Sequence, residues 1–295
     1  MKTNHFICIL LTMLLIAPNL YAKKNNSKKP KCPTISEFQP IGDKILEEGL
    51  LLYSHEKMGW VSGDSMTTHC SDPLTASHWI VTGKPGEMRC VFADKNHEMA
   101  YFSCSCDSTS NMEKNLKWSN EKRALTAEEK KAFDIRYEIE AKFLEIYRDS
   151  LHNNSKAMGN LNWDLIPQED GSYILYLLQG TTLPWVIPYG NDYKIRVDKD
   201  RNITSFERCH KSYLHMQVDN NTSCLYHSHT TDNPYITATD ICNSLLYGWD
   251  CYHIKDFAVV STHFDEELFI FFNASEKTIV GLSKKFMEKV YGKNK

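Results

Sequence analysis

After residue 17 the chain has no apolar run approaching the length of a bilayer span. It has no Cys-x-x-Cys, which argues against a thioredoxin-like redox motif or a zinc ribbon. It has no internal repeat and little net charge: 295 residues sum to −3, which argues against a strong polyanion such as nucleic acid as partner. No cysteine follows a small-residue box near the start, so a lipid anchor is not expected. What remains is a chain with 12% aromatics, enough for a real core in one large domain or two small ones.

The one long apolar stretch is FICILLTMLLIA at residues 6–17, preceded by Lys2 and followed by Pro18 and the small residue Ala22. That order predicts a cleavable secretory signal over residues 1–22. Residues 23–32 carry five lysines among Asn, Ser and Pro and predict a flexible basic leader. The expected location is therefore secreted or periplasmic, with no membrane span once the signal is removed. Of ten cysteines, Cys8 leaves with the signal. The other nine read first as disulfide formers in an oxidising compartment. Their odd number leaves at least one unpaired, and the sequence does not fix the pairing.

Residues 33–122 predict a small Cys-rich β region. Strand-like runs at 78–82, 88–93 and 99–104 are separated by turns such as Lys84-Pro85-Gly86. Thr126 and Glu129 form a capping box that opens a helix over about 127–151. Runs at 173–178, 192–197, 203–207, 212–218, 224–229, 256–261 and 267–273 predict strands. A helix is expected over 238–247 with Gly248 as its stop, and a last helix over 276–291. The fold class is mixed α/β: a mixed sheet flanked by helices in 123–295, preceded by the Cys-rich unit.

One segment carries chemistry. His227 and His229 stand two apart, a spacing that puts both imidazoles on one face of a strand. Ten residues later Asp240 falls in the first turn of the predicted helix. Two imidazoles and a carboxylate are the usual three-ligand set of a catalytic zinc. The bland alternatives are a strand histidine pair and, for Thr237 with Asp240, an ordinary helix cap. His210, Cys224 and Cys242 lie nearby in sequence; His210 reads as a strand-end residue and the cysteines as disulfide partners.

This segment resembles the JAMM (MPN+) metalloprotease family, whose signature is His-x-His, ten residues, then Asp, with Ser three before the Asp. The resemblance covers roughly residues 125–275 and is specific over about 40 of them. It implies a JAMM- or cytidine-deaminase-like mixed sheet and a Zn2+ site of His227, His229 and Asp240. It also implies hydrolysis of a peptide or isopeptide bond, with water activated by the metal attacking the carbonyl. Thr237 stands in place of the serine that stabilises the oxyanion, and Thr230 in place of a proline. The family's general-base Glu sits upstream. Glu169 lies a few residues before that place, Ser172 or Tyr173 occupies it, and Glu207 is a second candidate. The substrate implied is a protein, a peptide or a cell-wall peptide. The alternative is a catalytically inactive, disulfide-stabilised exported binding protein on the same fold, and a third reading is a structural envelope protein.

Overall fold

The computed structural model describes residues 29–151, 161–229 and 233–291. The expected signal and most of the leader lie outside these residues. The backbone groups into two compact units. One comprises the chain up to Leu46, Asn220–Ile236 and Tyr252 onward; the other comprises Glu47–Asp219 and Thr237–Cys251. The architecture is mixed α/β, with several sheets flanked by helices.

The first unit holds a four-stranded sheet of β12 (Cys224–His229), β13 (Asp256–Ser261), β14 (Leu268–Asn273) and β15 (Thr278–Ser283), in that order. β12 runs parallel to β13, and the remaining pairs are antiparallel. β14, LFIFFN, is buried at five successive positions because both its faces are covered. Helix α6 (Lys284–Tyr291) sends Met287 into the cluster of Ala258, Phe269, Phe271 and Leu282 on one face.

The second unit begins within helix α1 (Ile35–His69) and continues through β1 (His78–Thr82), β2 (Met88–Ala93) and β3 (Met99–Cys106). With β4 (Lys117–Ser119) and β5 (Arg123–Ala124) these strands form one antiparallel sheet. Helix α3 (Ala127–Tyr147) follows the short α2 (Met112–Asn115) and is opened by the predicted Thr126/Glu129 capping box. An antiparallel sheet has the order β10 (Ile203–Arg208), β9 (Tyr193–Val197), β7 (Tyr173–Gln179), β6 (Leu161–Pro167). β8 (Val186–Tyr189), paired with β11 (Leu214–Gln217), stands beside α4 (Ala238–Asn243) and the π-helical stretch that continues it to Trp249; α5 (Asp250–Tyr252) follows in the chain.

β7 explains the layering. Its run YILYLLQ is buried at every position but the first, because each face meets a helix. Leu175 and Leu177 pack on Ile135, Ile139 and Phe143 of α3. Ile174, Tyr176 and Leu178 pack with Leu52 of α1 and with Ala238 and Cys242 of α4. Buried Arg136 ties α3 to two sheets by donating to the carbonyls of Trp79 at 2.6 Å and Trp163 at 2.9 Å. Satisfying backbone acceptors from both strands offsets the cost of burying its charge.

Three sequence expectations change. Residues 35–69, inside the expected β region, form one long helix. Thr34 and Glu37 cap it reciprocally: the Thr34 amide donates to Glu37 Oε2 at 2.8 Å and the Glu37 amide donates to Thr34 Oγ1. Many of its buried positions are Gly42, Gly49, His55, Glu56 and Ser62, so its inward face shows no apolar stripe. Residues 278–283 form a strand, and only 284–291 are helical. Helical backbone also passes through Gly248 and ends at Tyr252, where a π turn absorbs the glycine.

The inward polar face of α1 carries a consequence for stability. Glu56 is buried against Asp164, and Asn162 donates to its Oε2 at 3.2 Å. Its other oxygen has no hydrogen-bond partner among the described residues. Burial, then the Asp164 charge, push the Glu56 carboxyl up to about 8. For His55, 3.4 Å from Asp164, burial alone would lower the pKa, but the Asp164 charge, the hydrogen bond to Asp164 and that to the Gly83 carbonyl together outweigh it and the net shift is upward. Both groups therefore hold protons in the folded state that the unfolded chain releases at lower pH, and stability falls as pH rises through that window. The urea midpoint should decline from about pH 5 to about pH 8, and Glu56→Gln should flatten most of that decline. An equally steep decline in the variant would show that Glu56 does not hold the proton.

Candidate metal centre

β12 alternates in the way its sequence dictates. Leu225, His227 and His229 face inward, and Tyr226 and Ser228 face out. Parallel pairing with β13 sets the two histidines opposite Val259 and Ser261. Their rings stack at 4.9 Å, and their Nε2 atoms are 2.9 Å apart. His229 Nδ1 lies 2.7 Å from the Tyr235 carbonyl and 3.0 Å from that of Asn233. Two acceptors at Nδ1 place the proton there and leave Nε2 as the ring's lone-pair atom.

The carboxylate comes from the start of α4. Thr237 is the N-cap and Asp240 its N3 residue. Asp240 Oδ2 accepts from the Thr237 amide and hydroxyl, both at 2.8 Å. This directs Oδ1 to His210 Nε2, 3.0 Å away. On the far side of the His210 ring, Nδ1 meets Asp192 Oδ1 at 2.8 Å and Oδ2 at 3.0 Å. Asp192 in turn accepts a short hydrogen bond from the Thr239 hydroxyl. The result is a buried relay, Thr239–Asp192–His210–Asp240–Thr237.

Two glycines make this arrangement possible. Gly190, two residues before Asp192, has φ +82°, and a Cβ there would sit 2.0 Å from the Ser212 carbonyl oxygen. At Gly49 of α1 a Cβ would come 2.7 Å from Cβ of Ile241, so only a bare backbone lets α1 approach the helix that bears Asp240.

Burial alone would drive the His210 pKa down. The Asp192 and Asp240 charges outweigh it, and the ring is held well above its usual range. Burial, then the charges of Asp192, Glu207 and Asp240, raise the Cys209 thiol far above its usual range, so a neutral thiol sits beside the group. All nine cysteines from Cys32 to Cys251 stand as separate thiols.

His210, His227, His229 and Asp240 are all buried, and each offers one ligand atom within 4.8 Å of the others. The donor set fits a metal ion. Three imidazole nitrogens and one carboxylate oxygen converge, and His229, His210 and Asp240 each have their other polar atom held by a carbonyl, a carboxylate or a helix cap. This buried group could hold a metal ion.

Compared with protein-family models, with curated proteins and with solved structures, the chain matches none.

The structure thus brings together the three residues singled out from the sequence, His227, His229 and Asp240, and adds His210. Nothing in the local sequence marks His210 as a ligand; only the return of the chain after β10 brings it to Asp240. Thr237 is placed as the cap, and its hydroxyl proton goes to Asp240. Glu169 is exposed in the β6–β7 turn, where the Gly171 amide donates to the Gln168 carbonyl at 3.0 Å. Glu207 is exposed on β10. Neither belongs to the four-residue group.

If Asp192 orients His210 toward an ion, Asp192→Asn should weaken zinc binding roughly 10- to 100-fold in chelator competition. Unchanged affinity would remove His210 from the ligand set or Asp192 from its support.

Proposed function

We propose that the chain is an exported zinc-dependent hydrolase of peptide or isopeptide bonds, acting on a protein, a peptide or a cell-wall peptide. The observation that carries this reading is the convergence of His227, His229 and Asp240, at JAMM-like spacing, with an Asp-backed histidine at the same point. In this reading the three hold the ion, and His210 takes the proton-accepting role expected of Glu169. When bound, zinc polarises an amide carbonyl and brings the pKa of water down to roughly 7. Asp192 fixes the His210 ring with Nδ1 turned away and Nε2 toward Asp240 Oδ1; an ion held by Asp240 would offset one of the two charges that raise this ring and leave Nε2 able to accept a proton. Thr237 and the α4 backbone orient the Asp240 carboxylate, and the Thr237 hydroxyl therefore serves the ligand and not an oxyanion.

A second reading has its own support. Four protein donors in one buried group match the ligand number of a structural zinc, which keeps no open position. The chain would then be an inactive, metal-stabilised exported binding protein.

His210→Gln separates the two. For the hydrolase, the purified mature chain should carry about one zinc. H210Q should keep it and lose about 100-fold or more of the cleavage rate on quenched peptide and isopeptide substrates. For the structural ion, the parent should cut nothing and H210Q should bind zinc far more weakly. An H227A/H229A double variant should lose the metal in both cases. A parent protein that takes up no zinc on reconstitution would end both readings.

A further inference from the structure

Four cysteines of the second unit, Cys70, Cys90, Cys104 and Cys106, share one core with Met58, Met66, Met88 and Met112. Two of them stand in a special relation. β2 and β3 are antiparallel, and Cys90 lies directly opposite Cys104 in the register. Both side chains point to the buried face, as the alternation along β3 requires. The Ser62 hydroxyl of α1 acts on both thiols, and both sulfurs belong to the one buried core. The other two turn elsewhere: Cys70 Sγ faces the Tyr101 carbonyl at 3.9 Å, and Cys106 Sγ faces that of Ser108 at 3.6 Å. Cys106 lies opposite Met88 and has no cysteine across the ladder.

We propose that Cys90 and Cys104 are a modification site at which oxidation forms a single cross-strand disulfide linking β2 to β3. Directly opposed residues have Cα atoms about 4.5–5.5 Å apart, within the roughly 4.4–6.8 Å that a disulfide bridges. The co-reactant is a small-molecule disulfide such as oxidised glutathione. One cysteine, as thiolate, attacks a glutathione sulfur. A glutathione–protein mixed disulfide forms, and one glutathione thiolate leaves. The second cysteine loses its proton, attacks the protein sulfur of that mixed disulfide and expels the second glutathione thiolate. The protein gives up two protons and two electrons, one S–S bond forms and one breaks, and the oxidant becomes two thiols. Burial raises both thiols and disfavours the attacking thiolate in the closed sheet. The bond therefore forms while β2 and β3 are pairing during folding, and is shielded from reduction afterwards.

The test is a disulfide map of the full-length mature chain refolded in a glutathione redox buffer. Remaining thiols are alkylated in denaturant, and the protein is digested without reduction. Fragmentation between Cys104 and Cys106 assigns the bond. The expected result is a cross-linked peptide through Cys90 and Cys104, lighter by two hydrogens than the two free peptides and absent after reduction. Cys106→Ala should retain the link, and Cys104→Ala should leave Cys90 fully alkylated. Folded protein with Cys90 and Cys104 both alkylated would overturn the proposal. So would a map in which either pairs with Cys70, Cys106 or a more distant cysteine.

Discussion

A carboxylate cut off from water must be held by hydrogen bonds or charge, and Asp240 is held by both. Its Oδ2 is fixed by the first turn of α4, where Thr237 supplies an amide and a hydroxyl. Its Oδ1 faces His210 Nε2. An unpaired carboxylate in such surroundings would cost several kcal/mol or become protonated. His210 supplies the compensating charge, and Asp192 and Thr239 extend the arrangement to the start of β9. Much of the geometry around the centre follows from this one requirement: the cap, the glycine at 190 that lets the chain turn into Asp192, and the glycine at 49 that lets α1 approach α4.

The same principle recurs on α1, at His55, Glu56 and Asp164, with a different resolution. There an acid keeps its proton, because it is buried and the neighbouring charge is also an acid. At the candidate centre the opposed groups are carboxylates and imidazoles, so charge can be balanced or exchanged for a metal ion. Buried polar groups thus serve two ends. One cluster tunes how stability responds to pH, and the other gathers nitrogen and oxygen donors into a set fit for a cation.

Much of this was legible along the chain. The alternation of β12 put His227 and His229 on one face, and the capping signal at Thr237 placed Asp240 in the first helical turn. β7 and β14 were visible as continuous apolar runs, and α3 was announced by Thr126 and Glu129. Helix α1 was less legible, since much of its buried face is glycine and polar residues, whose partners lie far away in sequence. Residues 276–291 misled because Ile279 and Leu282 fit helical spacing as well as they fit a strand at the edge of a sheet.

What the sequence by itself determined were the local rules: strand alternation, helix caps, and a spacing that presents two imidazoles and a carboxylate. These depend on covalent geometry and near-neighbour hydrogen bonds, which are written in consecutive residues. Only the tertiary structure decided that His210 joins the buried group, that Asp192 steadies it, and that Glu169 stays in an exposed turn. It also placed Cys90 across from Cys104. Those outcomes depend on pairing registers and on which distant groups are buried together, because a buried charge finds its partner through space and not along the chain.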